Sequence, residues 1–423
     1  MIDHQKVIVA LEEKRTRFEE YAGGMRDQKS LVEPRIAKLQ EYSYQALQNF
    51  LDTLGETPKG ALPTPEWDDA TGLCLPFGQQ WANHEEARAW ALQVLTRRPV
   101  AAVDGSQIPP TKDFNIPVGA IQVGWFINPH EAGKPYTKDV SFAVLSPNEL
   151  DDDIGEVADD QAMASWRVTQ ERFIGECDQL CKIMTDYAGA PQQSKPLCFF
   201  DGSLIVSFAI QLREGRAQPY LAAVRKVIDC SRDTRVPVVA FVDRSFSHDF
   251  VTLIDTVAGA INGSDKLTIS DAGLLESYLP NWGDRSPLFY CDRQDNLRRE
   301  YDPKLYNDVA FTYVRLTRDR VPARVEMPFW IVEEGLADDV MDLVRAECVV
   351  GGGYPYAAET ADAEDLDAGG EEIANASPAD DTVLVEQDGI YAALHTVSKK
   401  GVANYLDQPP SARVHGMPAW GYD

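Results

Sequence analysis

The sequence is poor in the residues that mark several common classes of protein. Seven cysteines are spread over 423 residues without a Cys-x-x-Cys pair, which disfavours a disulfide framework and a structural zinc site. No run approaches the roughly 20 apolar residues of a membrane-spanning helix, and the charged N-terminus has no apolar segment typical of a secretion signal. These absences predict a cytoplasmic protein with reduced thiols and no membrane association.

Basic residues are also scarce. Lysine and arginine together number 40 against 67 aspartates and glutamates, which gives a formal charge of −27. This charge disfavours a protein that simply coats DNA, because the phosphates would be repelled. It does not exclude an enzyme whose few basic residues line one groove. With 44% hydrophobic residues, the chain has enough apolar side chains for a substantial core.

Several enzyme motifs are missing as well. The sequence has no Gly-x-Gly-x-x-Gly, no Walker A sequence and no zinc-protease histidine pattern, and Ser203 lacks the flanking glycines of a serine hydrolase. Two related phrases are present instead: AVDGSQIPP at 102–110 and CFFDGSLIV at 198–206. In both, an apolar run meets Asp-Gly-Ser. One such phrase is usually a plain turn, but two on core strands favour a functional site.

Hydrophobic periodicity predicts the order β-β-β-α-β-α-β-α in the middle of the chain. The predicted strands are 99–104, 118–127, 140–145, 196–201 and 237–243, and the predicted helices are 160–187, 217–230 and 247–260. The last two strands are continuous apolar runs separated by a helix, which is typical of a buried parallel pair. The sequence therefore predicts an α/β fold with an RNase H-like core, a mixed sheet flanked by helices.

The N-terminal region is predicted to be a helical arm. Residues 5–55 have helical periodicity, with a break expected at Gly23-Gly24. Two interpretations remain open: a surface for oligomerisation or a partner, and a hairpin packed on its own domain. We expect an arm at 1–60 and a single domain at 61–423. A later strand pair is predicted at 308–316 and 323–331.

Asp104 and Asp201 are predicted to lie side by side, because each ends one of two neighbouring strands at the centre of the sheet. Two close carboxylates repel each other unless a divalent cation lies between them. Hard oxygen ligands select Mg²⁺ or Mn²⁺. A two-metal site of this kind activates water for phosphodiester cleavage. Gly105 and Gly202 would let the backbone turn beside the site.

A third acidic ligand is expected from the helix before the fourth strand. Glu171 and Glu176 flank its apolar stripe on opposite sides, so at least one of them belongs to a solvated surface. A further ligand is expected from a late helix, for which the candidates are Glu359, Asp362 and Asp365.

Six phrases resemble, in the same order, those of the NurA nucleases over about residues 74–365. They are AAVDGSQI, CFFDGSL, VVAFVDRS, RSPLFYCD, ARVEMPFWI and GGYPYAAETAD. The resemblance implies an RNase H-like (Piwi-like) fold, a homodimer, and Mn²⁺-dependent (or Mg²⁺-dependent) exo- and endonuclease activity on DNA with two ions. It also implies a HerA-like hexameric ATPase as partner in DNA end processing, for repair or phage defence.

The resemblance also implies roles for single residues. Asp104 and Asp201 match the two metal-binding aspartates, Asp362 matches the acidic or histidine position after the Gly-Tyr-Pro motif, and Tyr354 matches the tyrosine of that motif. The helix glutamate is not matched uniquely, and Glu171 is favoured as the metal ligand.

Three arginines are candidates for binding substrate phosphate: Arg244, Arg285 and Arg324. An ion pair with a nearby acid is the competing interpretation for each. Two other functions compete with a nuclease of this family: a non-catalytic regulatory subunit of a DNA translocase, and another RNase H-like enzyme such as a junction resolvase. Because the chain is acidic, we expect the partner to supply much of the affinity for DNA.

Overall fold

The computed structural model describes residues 4–111, 116–150, 160–212, 215–259, 266–300 and 306–361. Within them the strands are β1 (Gly60–Pro63), β2 (Val100–Ile108), β3 (Gly119–Asn128), β4 (Thr137–Leu145), β5 (Leu197–Asp201), β6 (Val238–Val242), β7 (Phe289–Asp292), β8 (Val309–Val314) and β9 (Ala323–Pro328). The helices are α1 (His4–Glu12), α2 (Arg15–Gln40), α3 (Tyr44–Thr53), α4 (His84–Leu95), α5 (Pro147–Leu150), α6 (Asp160–Asp186), α7 (Ala217–Thr234), α8 (Asp249–Ala258), α9 (Asp271–Leu275), α10 (Asn296–Glu300), α11 (Phe329–Glu333) and α12 (Ala337–Val350).

The chain folds as two compact units. The first contains the residues up to 79 together with 242–325, and the second contains 80–241 together with the residues from 326 onward. Among the residues described, no helix combines the length and the apolarity that crossing a bilayer requires.

The second unit contains a mixed sheet with the strand order β6-β5-β2-β3-β4. β3 pairs antiparallel with both β2 and β4, whereas β5 pairs parallel with both β2 and β6. α6 packs against β2 and β3, and α7 packs against α6. This is the strand order of an RNase H-like sheet, so the predicted fold class is confirmed.

The central strands of this sheet are apolar for a physical reason. The first four residues of β5 are all buried, and so are the first four of β6. A strand covered on both faces must be apolar at every position rather than at alternate positions. The first polar position of β5 is its last residue, Asp201, which is exposed. The apolar run therefore carries its carboxylate to the edge of the core.

The predicted end of the strand that carries Asp104 is wrong. The parallel pairing of β2 with β5 stops at Val103 opposite Phe200, but the antiparallel pairing with β3 continues to Ile108 opposite Ala120. Asp104 is therefore in the middle of β2, although it lies one residue beyond the parallel register. The sequence pattern missed this because the outer half of β2 is only partly buried.

The predicted break at Gly23-Gly24 is also wrong, since α2 continues through both glycines. A glycine inside a helix costs about 1 kcal/mol relative to alanine, which a helix of this length can accommodate. The helical region is instead interrupted before α2 and again before α3. At the start of α3 the Ser43 side chain accepts a hydrogen bond from the Ala46 N–H (3.3 Å) and caps the helix. α2 packs against α8 within the first unit.

The first unit has the strand order β1-β7-β8-β9, with β7 antiparallel to β1 and to β8. The predicted pair at 308–316 and 323–331 corresponds to the neighbouring strands β8 and β9. The predicted end of the second strand is wrong, because β9 ends at Pro328 and residues 329–331 belong to α11. Aromatic rings fill the core of this unit: Phe289 lies between Phe250 (5.0 Å between centroids) and Phe311 (5.8 Å).

A buried ion cluster also lies in the first unit. The Arg324 guanidinium donates to Asp249 (2.8 Å) and to the Tyr313 hydroxyl (3.0 Å), and Arg293 donates to both oxygens of Asp249 (2.6 and 2.8 Å). Asp271 accepts three backbone N–H groups from the first turn of α8. Burial disfavours the ionised form of Asp249, but the two guanidiniums outweigh it and lower the pKa of that carboxyl.

Candidate active site

Asp104 and Asp201 occupy equivalent positions on two parallel strands. Val103 of β2 is in register with Phe200 of β5, and the next residue on each strand is the aspartate. Neighbouring strands lie about 4.8 Å apart, and residues at the same register point to the same face of the sheet. On the other side of Asp104, the residue opposite on β3 is Gly124, which has no side chain. The face beside the two carboxylates is therefore left open.

The chain turns away from the sheet directly after Asp201. Gly202 has a φ of +129°, in a region that side chains disfavour, so the turn requires glycine. Ser203 then accepts a hydrogen bond from the Ile205 N–H (3.0 Å) and donates one to Glu326 Oε2 (2.8 Å). Glu326 is 1% exposed, and it also accepts from the Ile205 N–H (3.3 Å). This buried carboxylate anchors the turn that follows Asp201.

Sequence reasoning missed Glu326. The available signal was an acidic residue within the apolar phrase ARVEMPFWI. A buried acid is costly unless its oxygens are hydrogen-bonded, so such a residue indicates a hydrogen-bonding partner within the fold.

Tyr354 contacts Asp201 directly. Its hydroxyl donates to Asp201 Oδ1 (3.1 Å), and its ring packs edge-on against Phe241 (5.2 Å between centroids). Phe241 is the residue opposite Asp201 on β6. The segment before the tyrosine is tightly folded, since a Cβ on Gly351 would lie 2.1 Å from the Tyr354 carbonyl oxygen. Tyr354 is thus held against the carboxylate by its backbone and by its ring.

Glu347 binds the backbone that follows Tyr354, and sequence reasoning did not identify it. Its Oε2 accepts the Ala357 N–H (2.8 Å), and its buried Oε1 has no hydrogen-bond partner and lies 3.6 Å from His130 Nε2. Burial raises the pKa of Glu347 to about 7 and lowers the pKa of His130. Burial therefore favours the uncharged form of both groups.

Replacing Glu347 by glutamine is expected to remove a pH dependence of stability. The pKa of Glu347 is about 7 in the folded chain against 4.5 as its ordinary value, so the folded state binds the proton more tightly. The stability from this group is fully present below pH 4.5 and is lost as the pH rises through 7. Glu347→Gln should be more stable than the wild type by about 2–3 kcal/mol at pH 8 and nearly equal to it at pH 5.

Urea unfolding at pH 5, 6, 7 and 8 measures the difference. Glu334→Gln is the matched control, because Glu334 is half-exposed in an ion pair with Arg235 (2.7 Å). If the difference in the free energy of unfolding between Glu347→Gln and the wild type stays constant from pH 5 to pH 8, the raised pKa of the buried Glu347 carboxyl is contradicted.

The two helix glutamates of α6 lie in different environments. A Cβ on Gly105 would lie 2.6 Å from Glu176 Oε1, so the missing side chain lets this buried carboxylate approach the backbone next to Asp104. Arg172 donates to Glu176 and to the Gly105 carbonyl oxygen (3.0 Å). Glu171 is instead half-buried in an i,i+4 ion pair with Arg167 (3.1 Å). The structure brings Glu176, and not Glu171, to the strand of Asp104.

The three candidate arginines lie in the first unit. Arg285 is 4% exposed and donates to both oxygens of Glu66 (2.6 and 2.8 Å). Arg324 is 1% exposed within the ion cluster described above. Arg244 is exposed, with its Nε 3.8 Å from Asp243. The guanidiniums of Arg285 and Arg324 are therefore taken up by buried partners. Of the three arginines, Arg244 alone presents its guanidinium to solvent.

Asp362, expected after the Gly-Tyr-Pro motif, lies outside the described residues, as does Asp365. Glu359 lies in the described part, where residues 356–361 are helical.

The donor set at Asp104 and Asp201 fits a hard divalent cation. In the described part of the chain, no group of three or more histidine, cysteine, aspartate or glutamate side chains is arranged to hold a metal ion. Mg²⁺-like ions are commonly bound by only one or two carboxylates, with waters and substrate phosphates completing the shell. Two carboxylates at one register, beside an open face, meet that requirement.

The chain was compared with protein-family models and with solved structures. The NurA domain matches residues 98–364. The crystal structure of the NurA nuclease from Sulfolobus solfataricus is similar with a TM-score of 0.38 and 15% identity, covering 63% of this chain and 78% of that chain. A crystal structure of NurA with manganese gives a TM-score of 0.34 and 8% identity over 66% and 90% of the two chains.

A crystal structure of endonuclease V from Bacillus subtilis is similar at a TM-score of 0.31 and 12% identity, over 70% and 94% of the chains. No curated protein matches the chain. The structural similarities are distant, so the family assignment rests on the sequence match. This match spans more than half of the chain and includes Asp104, Asp201 and Tyr354, and the chain therefore belongs to the NurA family.

Proposed function

We propose that the chain is a metal-dependent DNA nuclease that hydrolyses phosphodiester bonds, with 5′-3′ exonuclease and single-strand endonuclease activity. Membership of the NurA family supports nuclease activity. The observation that carries the proposal is the pair Asp104 and Asp201, placed one residue beyond the last parallel register pair, with the Tyr354 hydroxyl on Asp201. The cofactor we propose is Mn²⁺ or Mg²⁺, as two ions.

Each residue of the site has a distinct task in this proposal. A bound divalent cation would supply a Lewis acid and an activated water for attack on the phosphorus. Asp104 and Asp201 would hold the cation through their carboxylate oxygens. The Tyr354 hydroxyl would orient the carboxylate of Asp201 by donating to Oδ1. Gly124, opposite Asp104, would leave room for the substrate strand.

We propose Glu176 as the helix acid of this site, in place of Glu171. The support is its approach to Gly105 next to Asp104, together with its burial at 4% exposure. Arg172 would hold the Glu176 side chain in place through their ion pair. A buried, positioned carboxylate can act on a reacting group, whereas the charge of the half-exposed Glu171 is screened by solvent.

Glu176→Gln is expected to lower the initial rate of cleavage by about 100-fold or more, because it removes a charge positioned at the site. Glu171→Gln is the matched control on the same helix, since it breaks only a half-exposed ion pair that is worth about 0–1 kcal/mol. Its rate should stay within about threefold of the wild type. Thermal unfolding of both variants checks the fold. Equal rates for the two variants would contradict the choice of Glu176.

We further propose that the chain acts as a homodimer with a HerA-like hexameric ATPase, in DNA end processing for repair or phage defence. The formal charge of −27 supports a partner that supplies much of the affinity for DNA. In this proposal the isolated protein binds duplex DNA weakly and with a shallow salt dependence. Tight binding with a steep salt slope would contradict the need for such a partner.

The decisive experiment is a cleavage assay on 5′-labelled linear DNA. Single-stranded and duplex substrates are incubated with Mn²⁺, Mg²⁺ or EDTA, with and without the partner ATPase. We expect cleavage with either metal ion and none with EDTA. Cleavage that persists in EDTA would contradict the proposed metal dependence. The absence of cleavage under every condition would contradict the proposed nuclease activity.

A further inference from the structure

An aromatic cluster in the second unit begins at the strand that carries Asp201. Phe200, which precedes Asp201, packs against Phe173 of α6 (5.7 Å between centroids). Phe173 packs in turn against Phe208 (5.9 Å) and Tyr220 (5.1 Å), and Phe208 and Tyr220 meet edge to face at 5.1 Å and 87°. Three of these rings are buried, but Phe208 is 47% exposed. The cluster thus presents one ring to solvent.

The exposed ring is held on an anchored segment. Phe208 lies seven residues after Asp201 on a short 3₁₀ turn, Ser207–Gln211. The three residues before the 3₁₀ turn are all buried: Leu204, Ile205 and Val206. Glu326 accepts hydrogen bonds from the Ser203 hydroxyl and from the Ile205 N–H. A ring backed by two others loses little further conformational entropy when a ligand packs on it.

The charge of the chain favours stacking as a source of affinity. The formal charge of −27 opposes electrostatic attraction between the chain and phosphates. Stacking of a base on an aromatic ring is worth about 1–3 kcal/mol and does not depend on basic residues.

We propose that Phe208 is a base-stacking residue for the substrate, and this rests on the proposed nuclease function. Its exposed face receives an unpaired nucleobase of the strand whose phosphate lies at Asp201. A base within a duplex has no free face, so the site takes single-stranded or frayed ends. Phe208 acts on substrate binding and strand preference and performs no chemical step.

The test separates the ring from the fold. Phe208→Leu removes the aromatic face, and Phe208→Tyr keeps it. Phe142→Leu is the matched control, because Phe142 is 46% exposed on β4 of the same unit. Binding of a single-stranded oligonucleotide containing 2-aminopurine is measured in EDTA, where stacking quenches the fluorescence of the base. KM and kcat for single-stranded DNA are then measured with Mn²⁺.

We expect Phe208→Leu to weaken binding about 10-fold, to lose the quenching and to raise KM with kcat changed less than threefold. Phe208→Tyr and Phe142→Leu should resemble the wild type. Wild-type binding and quenching in Phe208→Leu would overturn the proposal, as would equal losses in the leucine and tyrosine variants. If the wild type binds with quenching but never cleaves, the stacking role stands and the nuclease function fails.

Discussion

Replacing Asp104 or Asp201 by asparagine is expected to lower the rate of DNA cleavage by at least about two to three orders of magnitude. Each change keeps the shape of the side chain and removes one of the two charges that would hold the cation. Asp201 is exposed and Asp104 is half-buried, so neither loss should destabilise the fold. The effect is therefore expected in the rate and not in the melting temperature.

The measurement is the initial rate on a 5′-labelled single strand with Mn²⁺, together with thermal unfolding. Asp178→Asn is the control, because Asp178 is a half-exposed aspartate on α6 that pairs with Lys226 (2.8 Å). Its rate should equal that of the wild type. Undiminished cleavage by either site variant would remove that aspartate from the active site.

The largest effect on stability is expected at Asp249 of the first unit. Asp249→Asn removes the charge that faces the two largely buried guanidiniums of Arg293 and Arg324, and Arg324 approaches Asp271 less closely, at 4.0 Å. Breaking a buried ion pair from one side costs about 3–5 kcal/mol, because the remaining charge stays desolvated. The repulsion that Asp249 exerts on Asp271 would also be lost, which offsets part of this cost.

Urea unfolding at pH 7 tests this expectation. Asp178→Asn again serves as the control, since an exposed ion pair contributes about 0–1 kcal/mol. A destabilisation of Asp249→Asn no larger than that of the control would show that the arginines find other partners. High salt should change the result little, because buried charges are screened less than exposed ones.

The order of the strands and the position of the two aspartates could be predicted from the sequence. β5 and β6 are apolar at every core position because both of their faces are covered, and this pattern is visible in the chain itself. Once β5 is known to lie parallel between β2 and β6, the acids that follow the apolar runs of β2 and β5 must lie at one edge. The family resemblance rested on the same phrases, and the NurA domain match confirms it.

The choice of the helix glutamate could not be predicted. Glu171 and Glu176 both border the apolar stripe of α6, and periodicity does not say which border faces the strand. The rotation of α6 on β2 and β3 is set by packing, and Gly105 leaves the space into which Glu176 fits. This decision depends on two elements that are far apart in the sequence.

The partners of the arginines were equally hidden. Arg285 pairs with Glu66, which is 219 residues away, and Arg324 pairs with Asp249, which is 75 residues away. Sequence reasoning left an ion pair and a phosphate site open for both. The buried acids Glu326 and Glu347 were missed because their hydrogen bonds also join distant segments.

The sequence by itself thus determined the local structure and what each element could contribute. Alternation and apolar runs are local properties, so they specified the strands and helices of the β-β-β-α-β-α-β-α core and the two carboxylates. They did not reveal the short strands β1 and β7. Only the tertiary structure decided which glutamate approaches Gly105, that β2 continues beyond Asp104, and that the Tyr354 hydroxyl binds Asp201. The physical reason is that the rotation and register of one element against another depend on side-chain packing, which no local pattern encodes.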